Sequence, residues 1–375
     1  MPRNRYIALG TMVLFLSSAF VADAQRRKKK EDEEPVTQTL ELPPDPPAAV
    51  VADTQRLTFH VAPMTNKGLL SKQVRDSLKA LFRLTRGNQI VKIRAFVAGT
   101  GDVRRVQTIV SEEFAEKRQA VPAVTVVQVG ALPMEGAQVV LTAVAVAKKP
   151  VNPHGLAFVS GQAAVSKENM MNVAPLVEKS VTQLRNSLAG AGIPTSEVQS
   201  VTCFVSSLED YSVASPLMQK EFPRAAAVMV QLQRIPYQGI AECEAVARLT
   251  SPADAPLKFL NPDGVPKPEQ YSQLALVGAP KVALSGAQLA FRAQEEDARL
   301  AFQRLEKSLD AVHASLRNAA MCNYYPLTAR ASDTIRKIRF EFLDKQRPPA
   351  STLLLFEGLP SLDASFAIEV VAAVP

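Results

Sequence analysis

Apolar residues recur along this chain with two alternating periods, and the clearest stretch is residues 154–250. A short apolar run ends in Phe158-Val159-Ser160-Gly161-Gln162. Apolar positions then fall at Val173, Leu176, Val177, Val181, Leu184 and Leu188, the three-and-four spacing of one buried helix face. Ala189-Gly190-Ala191-Gly192 supplies the glycine stop. Residues 198–205 read as a strand and 208–221 as a second helix. Two β-rich runs, 226–234 and 240–249, flank the turn at Pro236 and Gly239. The predicted order is β-α-β-α-β-β.

The same order appears twice more. Before it, strands are expected at 57–62, 90–97, 124–129 and 139–146, with helices at 71–84 and 102–117; Val74, Leu78, Leu81 and Phe82 line one side of the first helix, and Gly87-Asn88 ends it. After it, a long opening from Asn261 leads to strands ending at Val277 and over 281–284. A helix carrying Ala298, Phe302, Leu305, Leu309, Val312 and Leu316 follows. Runs at 320–325, 331–342, 352–356 and 366–374 complete this copy. Each copy predicts a mostly antiparallel sheet with two helices on one face, so the other face must be covered. Three copies in one chain can cover one another as a ring with three clefts. The expected fold is therefore α+β, with units at 54–149, 150–251 and 252–375 forming an intramolecular pseudotrimer that is a monomer in solution. The length of 375 residues suits two or three domains of about 100–150 residues.

Charge changes this picture only at the N-terminus. Arg3 and Arg5 precede an apolar run over 7–21, and Ala22-Asp23-Ala24 fits a small-x-small cleavage site before Gln25. Residues 1–24 read as a signal peptide for a periplasmic or secreted protein; the alternative is an uncleaved membrane anchor, since Arg26 to Lys30 directly follow the site. Residues 25–53, with a basic block, an acidic block and Pro43-Pro44-Asp45-Pro46-Pro47, read as a disordered or extended spacer. Much of the net charge of +7 sits before residue 31. The repeats lack a basic stripe with interleaved aromatics, so no nucleic-acid partner is expected. Cys203, Cys243 and Cys322 lie in apolar runs and read as small core residues, not as a disulfide framework or metal site. His60, His154 and His313 are scattered. No metal or cofactor is expected, and no membrane contact after signal cleavage.

These stretches carry a resemblance to the RidA/YjgF family, small trimeric enamine/imine deaminases once labelled endoribonucleases. Phe158 to Gln162, residues 230–236 and Glu242-Cys243-Glu244-Ala245-Val246-Ala247 resemble three strands of the family unit. Asn261-Pro262 through Tyr271-Ser272-Gln273 resembles its N-terminal motif, and residues 90–97 with Leu132-Pro133 extend the match to the first copy. The resemblance covers residues 57–375 and implies the chorismate-mutase-like fold.

The resemblance also implies a site. The family binds the carboxylate of an imino acid with an Arg nine positions before a Leu-Pro or Ile-Pro turn, through paired hydrogen bonds. Here that position holds Val124, Ala227 and Ser351. A last-strand Glu positions the attacking water; its place is read as Thr142, Glu244 and Val371. The family's cleft Tyr corresponds to Tyr271, and its Ser-Gly turn to Ser160-Gly161 and Ser285-Gly286. Glu244 and Tyr271 are the candidate catalytic residues, and Arg234 lies at the expected cleft rim. Each has a plainer reading: a strand bulge for Gly161, a paired rim carboxylate for Glu244, an interface aromatic for Tyr271. The expected function is a degenerate, non-catalytic pseudotrimer that binds a small carboxylate or imine-like metabolite, or a partner. The alternatives are an imine deaminase with a different carboxylate anchor and, behind it, RNA binding or cleavage.

Overall fold

The short strand β1 (Ala49–Asp53) lies far from the sequence that follows it: it pairs antiparallel with a strand more than two hundred residues away, Ala49 opposite Ser285 and Asp53 opposite Lys281. The computed structural model describes residues 43–99, 101–168 and 171–374. The expected targeting segment and most of the expected spacer fall outside these residues. The last five spacer residues correct the expectation, because β1 is ordered strand. An Ala-Val-Val-Ala run fits an edge position although prolines and charges precede it.

Three sheets and six α-helices form a mixed α+β fold among the described residues. The first sheet is built from β2 (Leu57–Val61), α1 (Leu70–Leu84), β3 (Gln89–Val97), α2 (Arg104–Glu116), β4 (Ala123–Gln128) and β5 (Val139–Val146), in strand order β2-β5-β3-β4. The second uses β6 (Leu156–Ser166), α3 (Ala174–Gly190), β7 (Val198–Val205), α4 (Tyr211–Glu221), β8 (Ala226–Gln231) and β9 (Gly239–Arg248). Strands β10 (Leu257–Leu260) and β11 (Leu274–Val277) follow. The third sheet contains β12 (Lys281–Ser285), β13 (Gln288–Phe291), α5 (Glu295–Asp310), β14 (Ala319–Pro326), α6 (Ala329–Ile338), β15 (Ala350–Leu353) and β16 (Ala364–Val374). In each sheet the strands flanking the second helix are parallel, β3 with β4, β7 with β8 and β14 with β15, and the last strand runs antiparallel to the first of that pair.

Local chemistry sets the helix ends. Glu295, Glu296 and Asp297 fill the first turn of α5, where carboxylates favour the positive end of the helix dipole. Thr328 caps α6 by accepting the Ala331 N–H at 3.2 Å. Gly87 and Gly192 take left-handed conformations, φ 74° and 70°, just past α1 and α3.

Two strand arms cross between sheets. β1 lies on β12 of the third sheet, and the β10–β11 hairpin lies on β6 of the second, Leu274 opposite Val159. Residues 257–277, expected within the third unit, thus complete the second sheet. The first sheet ends at β2, which has no such strand beside it among the described residues.

Each sheet packs its helices over a separate apolar core, and the opposite faces meet one another. There Phe96 packs edge-on against Phe204 at 5.9 Å, Phe204 against Phe356 at 5.5 Å, and Phe356 against Tyr325 at 5.0 Å. These rings come from all three sheets and supply specific aromatic contacts beyond their buried area. A second shared cluster includes Leu57, Val91, Phe158, Ala275, Leu284 and Met321.

The cysteines correct the sequence reading. Cys203 on β7 sits directly opposite Cys243 on β9, Cα atoms 4.1 Å apart, and the two form a buried disulfide. Cys322 is buried and free, its thiol pushed up to about 12 by burial, so it is inert. The disulfide spans 40 residues of sequence, for which chain-entropy reasoning gives about 4 kcal/mol. Cys203→Ala/Cys243→Ala is expected to lower the urea midpoint by a corresponding amount, and reductant should lower the wild type's but not the double variant's. No helix among the described residues is long and apolar enough to cross a membrane.

Candidate functional site

Gly161 is where the second and third sheets build a cleft. β6 bulges between Val159 and Gln162, and a side chain at Gly161 would run into the carboxylate of Glu242 on the neighbouring strand β9. The bulge is fixed from the crossing arm: the Ser160 N–H donates to Gln273 O at 2.9 Å, Ser160 Oγ donates to Ser272 O at 2.6 Å, and Gln162 Nε2 donates to Gln273 Oε1 at 2.6 Å. Ser160 Oγ also accepts the Ser351 N–H of β15 at 2.8 Å. Three segments distant in sequence therefore converge on one buried hydroxyl.

Glu242 is the carboxylate of this cleft. It is 7% exposed and accepts no hydrogen bond among the described residues. Burial, then the charge of Glu244, pushes its carboxyl up to about 8. Tyr271, on the arm, lies close enough for Glu242 to affect it; burial first and Glu242 second raise its phenol, and Arg339 opposes them. Arg339 is itself held by Gln270, donating to its backbone and side-chain oxygens at 2.8 Å each. Beyond Glu242 opens a cavity of about 370 Å³ whose walls include Gln233, Tyr237, Ser332 and Arg336.

The folded-state value of Glu242 lies above its unfolded one, so its contribution to stability is full below pH 4.5 and is lost as pH rises through about 8. Glu242→Gln is expected to flatten that decline, which amounts to no more than about 5 kcal/mol. Urea midpoints of both proteins at pH 5 and pH 8 check it. Equal pH dependence in the two would place the ionised group elsewhere.

Glu244 does not enter the cleft. It lies where the three sheets meet, in a buried ionic network. Arg94 Nη1 donates to Glu244 Oε1 at 2.9 Å, and Asn323 Nδ2 donates to Glu244 Oε2 at 2.5 Å. Arg94 also reaches Tyr325 Oη and Thr202 Oγ1 at 3.3 Å. Beside them Lys92 Nζ donates to Glu369 Oε2 at 2.5 Å, to Thr125 Oγ1 at 2.7 Å and to Ser285 O at 2.5 Å, and Tyr325 Oη donates to Glu369 Oε1 at 2.5 Å. Burial works against the Glu369 carboxylate, but the charges of Lys92 and Arg94 hold it down to about 2. Burial lowers Lys92, with Glu369 opposing.

Strand register corrects the third-copy carboxylate. Arg94 pairs with Thr142, Thr202 with Glu244, and Asn323 with Glu369. Glu369, not Val371, is the counterpart of Glu244; Val371 pairs with Met321, one pleat repeat further on.

The three expected anchor positions do occupy equivalent places: Val124 opposite Ile93, Ala227 opposite Val201 and Ser351 opposite Cys322. Val124 packs into the first sheet's own helix-side core, and its carbonyl accepts the Ala287 N–H beside Gly286. Ala227 packs against the corresponding core of the second sheet. Ser285 uses its hydroxyl to accept the Val370 N–H at 2.8 Å. Arg234 is half-exposed, near Glu357 at 3.6 Å, and donates to Gly99 O at 3.3 Å; it does not line the Glu242 cavity. Among the described residues no group of three or more His, Cys, Asp or Glu could hold a metal ion.

No family model matches the sequence, and no curated protein does. Three similar solved structures are Rid and YjgF family proteins. A Rid family protein of unknown function from Yersinia pestis is 14% identical, with a TM-score of 0.28 over 32% of this chain and 99% of its own. A YjgF family member from Mycobacterium tuberculosis is 18% identical, with a TM-score of 0.22 over 25% of this chain and 79% of its own. One from Neisseria meningitidis is 11% identical, with a TM-score of 0.23 over 32% and 95%.

The expected carboxylate, Glu244, sits in the ionic network, and the carboxylate lining the cavity between the second and third sheets is Glu242. Glu242 and Glu244 are two apart on one strand and share a face, and only the register with Gly161 distinguishes them. Lys92 and Arg94 were missed, although two charged residues on one face of an otherwise apolar strand were the available signal.

Proposed function

We propose that residues 49–374 are three tandem Rid-like units closed into a ring within one exported chain, and that this ring binds a small ligand without deaminating it. The observation that carries this reading is the state of the three anchor positions. Val124 and Ala227 pack into apolar cores, and Ser351 is tied through its N–H to Ser160. A small imino acid offers mainly its carboxylate, and no guanidinium stands at any of the three places to grip it. The ring is supported by the crossing arms β1 and β10–β11 and by the shared aromatic cluster. Export is supported by the buried Cys203–Cys243 disulfide, a bond that persists in oxidising compartments. The expected ligand is a small carboxylate or imine-like metabolite in the Glu242 cleft.

The test is hydrolysis of 2-iminobutanoate and 2-iminopropanoate, generated in situ, followed by ammonia or keto-acid release. Wild-type rates indistinguishable from buffer are expected; turnover matching an active deaminase would overturn the reading. One observation favours the alternative of a deaminase with a different anchor: Arg336 lines the same cavity as Glu242, paired with Asp333 at 3.3 Å. Under that alternative Arg336→Ala abolishes an activity that the wild type displays.

A further inference from the structure

At the junction of the three sheets lies a cavity of about 100 Å³, separate from the Glu242 cleft. One end is the ionic network, with Lys92, Arg94, Glu244, Glu369 and Asn323 in its wall. The other end is apolar, formed by Phe59, Phe158, Val246, Leu284 and Met321 among others. The cavity's polar and apolar walls thus lie on opposite sides of one small space.

Two features make it more than a packing gap. The first is unused hydrogen-bonding capacity. Arg94 spends its Nη atoms on Glu244, Tyr325 and Thr202, but its Nε–H has no partner among the described residues. Asn323 gives Nδ2 to Glu244, and its Oδ1 accepts no hydrogen bond among them. Arg94 Nε–H and Asn323 Oδ1 are thus a donor and an acceptor still open on side chains that line the cavity. The second feature is the missing arm. β1 covers the edge of the third sheet and β11 that of the second, whereas no strand among the described residues pairs with the outer edge of β2. Phe59 and His60 of that strand line the cavity and are only half-buried.

We infer that this axial cavity is a binding site for a small uncharged amphiphile, a single ring or branched apolar body bearing one hydroxyl or primary amide. A head group of that kind both donates and accepts, matching Asn323 Oδ1 and Arg94 Nε–H. The body replaces empty space against Phe59, Phe158 and Leu284; a cavity of this order holds about one small ring. Charge is excluded by balance. The network already sets two cations against two carboxylates, and a further ion would be buried without a counter-charge. His60, whose ring burial lowers, adds no cation at neutral pH. This site does not depend on the anchor positions or on the Glu242 cleft, so it goes beyond the function proposed above.

Titration calorimetry with benzyl alcohol, benzoate and benzylamine against the full chain at pH 7 tests it. Benzyl alcohol is expected to bind at least about tenfold more tightly than either charged analogue. Val246→Phe, which adds bulk at a half-buried wall position, is expected to abolish that binding in a protein whose circular dichroism is unchanged. Phe59→Ala, which enlarges the cavity, keeps the site testable if the first variant misfolds: it should shift preference toward a larger alcohol such as 2-phenylethanol. Failure of benzyl alcohol to bind, equal binding of benzoate, or binding that survives Val246→Phe but is lost in Glu242→Gln would each overturn the assignment. The last result would move the ligand to the other cleft.

Discussion

Replacing Lys92 by alanine is expected to destabilise the protein by about 3–5 kcal/mol, the usual cost of removing one member of a buried ion pair. Lys92 is 8% exposed, and its ammonium is held by Glu369, Thr125 and the Ser285 carbonyl. Without it, Glu369 keeps Tyr325 and Thr125 as donors, but the nearest positive charge is Arg94 at 3.6 Å. The carboxylate must then stay charged with poor compensation or take up a proton. Either way the low value near 2 cannot be maintained. Because the folded value lies below the unfolded one, Glu369 contributes stability above about pH 4.5, lost as pH falls toward 2. Lys92→Ala should therefore shrink the acid-induced loss as well as the stability at pH 7. Lys92→Met/Glu369→Leu, which removes both charges and keeps bulk, is expected to recover most of the loss. Urea unfolding of the three proteins at pH 7 and pH 4 measures this. A Lys92→Ala effect below about 1 kcal/mol would mean that the network is solvated.

Much of this architecture was legible in the chain. The helix stripe from Val173 to Leu188 and the apolar runs at 198–205 and 240–249 became α3, β7 and β9 with small shifts at their ends, because one buried face per element leaves a strong periodic signal. What the sequence hid depends on distant pairing. β1 is a five-residue strand directly behind a proline run, and its partner β12 lies beyond two whole sheets. The disulfide needed Cys203 and Cys243 directly opposite on neighbouring strands, which spacing alone does not reveal. The choice between Glu242 and Glu244 turned on a bulge at Gly161. The ion pair of Lys92 with Glu369 joins residues 277 apart. Composition showed that charges existed, not that they met.

The second large effect is on chemistry. Ser351→Arg is expected to create imine hydrolysis where the wild type has none. Ser351 is the anchor position nearest the Ser160-Gly161 bulge, and Glu242 and Tyr271 lie on the same side of the molecule. A guanidinium there can grip a carboxylate through two parallel hydrogen bonds worth roughly 1.5–3 kcal/mol or more, about tenfold or greater in affinity. It also orients the imine carbon, a separate contribution to rate. Ala227→Arg, at a position packed against the second sheet's core and away from Tyr271 and the Gly161 bulge, should gain less. A further Glu242→Gln change in the Ser351→Arg background should remove the new activity, whereas Glu244→Gln should act mainly by destabilising the centre. Loss of activity on changing Glu244 but not Glu242, at matched folded fractions, would reverse the assignment of the two carboxylates.

The proposed ring is tested most directly by the solution mass of residues 43–375. β1 reaches from the start of this segment to the third sheet, and β10–β11 reaches back to the second; in the proposed ring these crossings let one chain cover its own inner faces. Multi-angle light scattering across a tenfold concentration range should give the mass of a single chain throughout. A stable assembly of three chains, or a mass that rises with concentration toward one, would contradict a ring closed within one polypeptide.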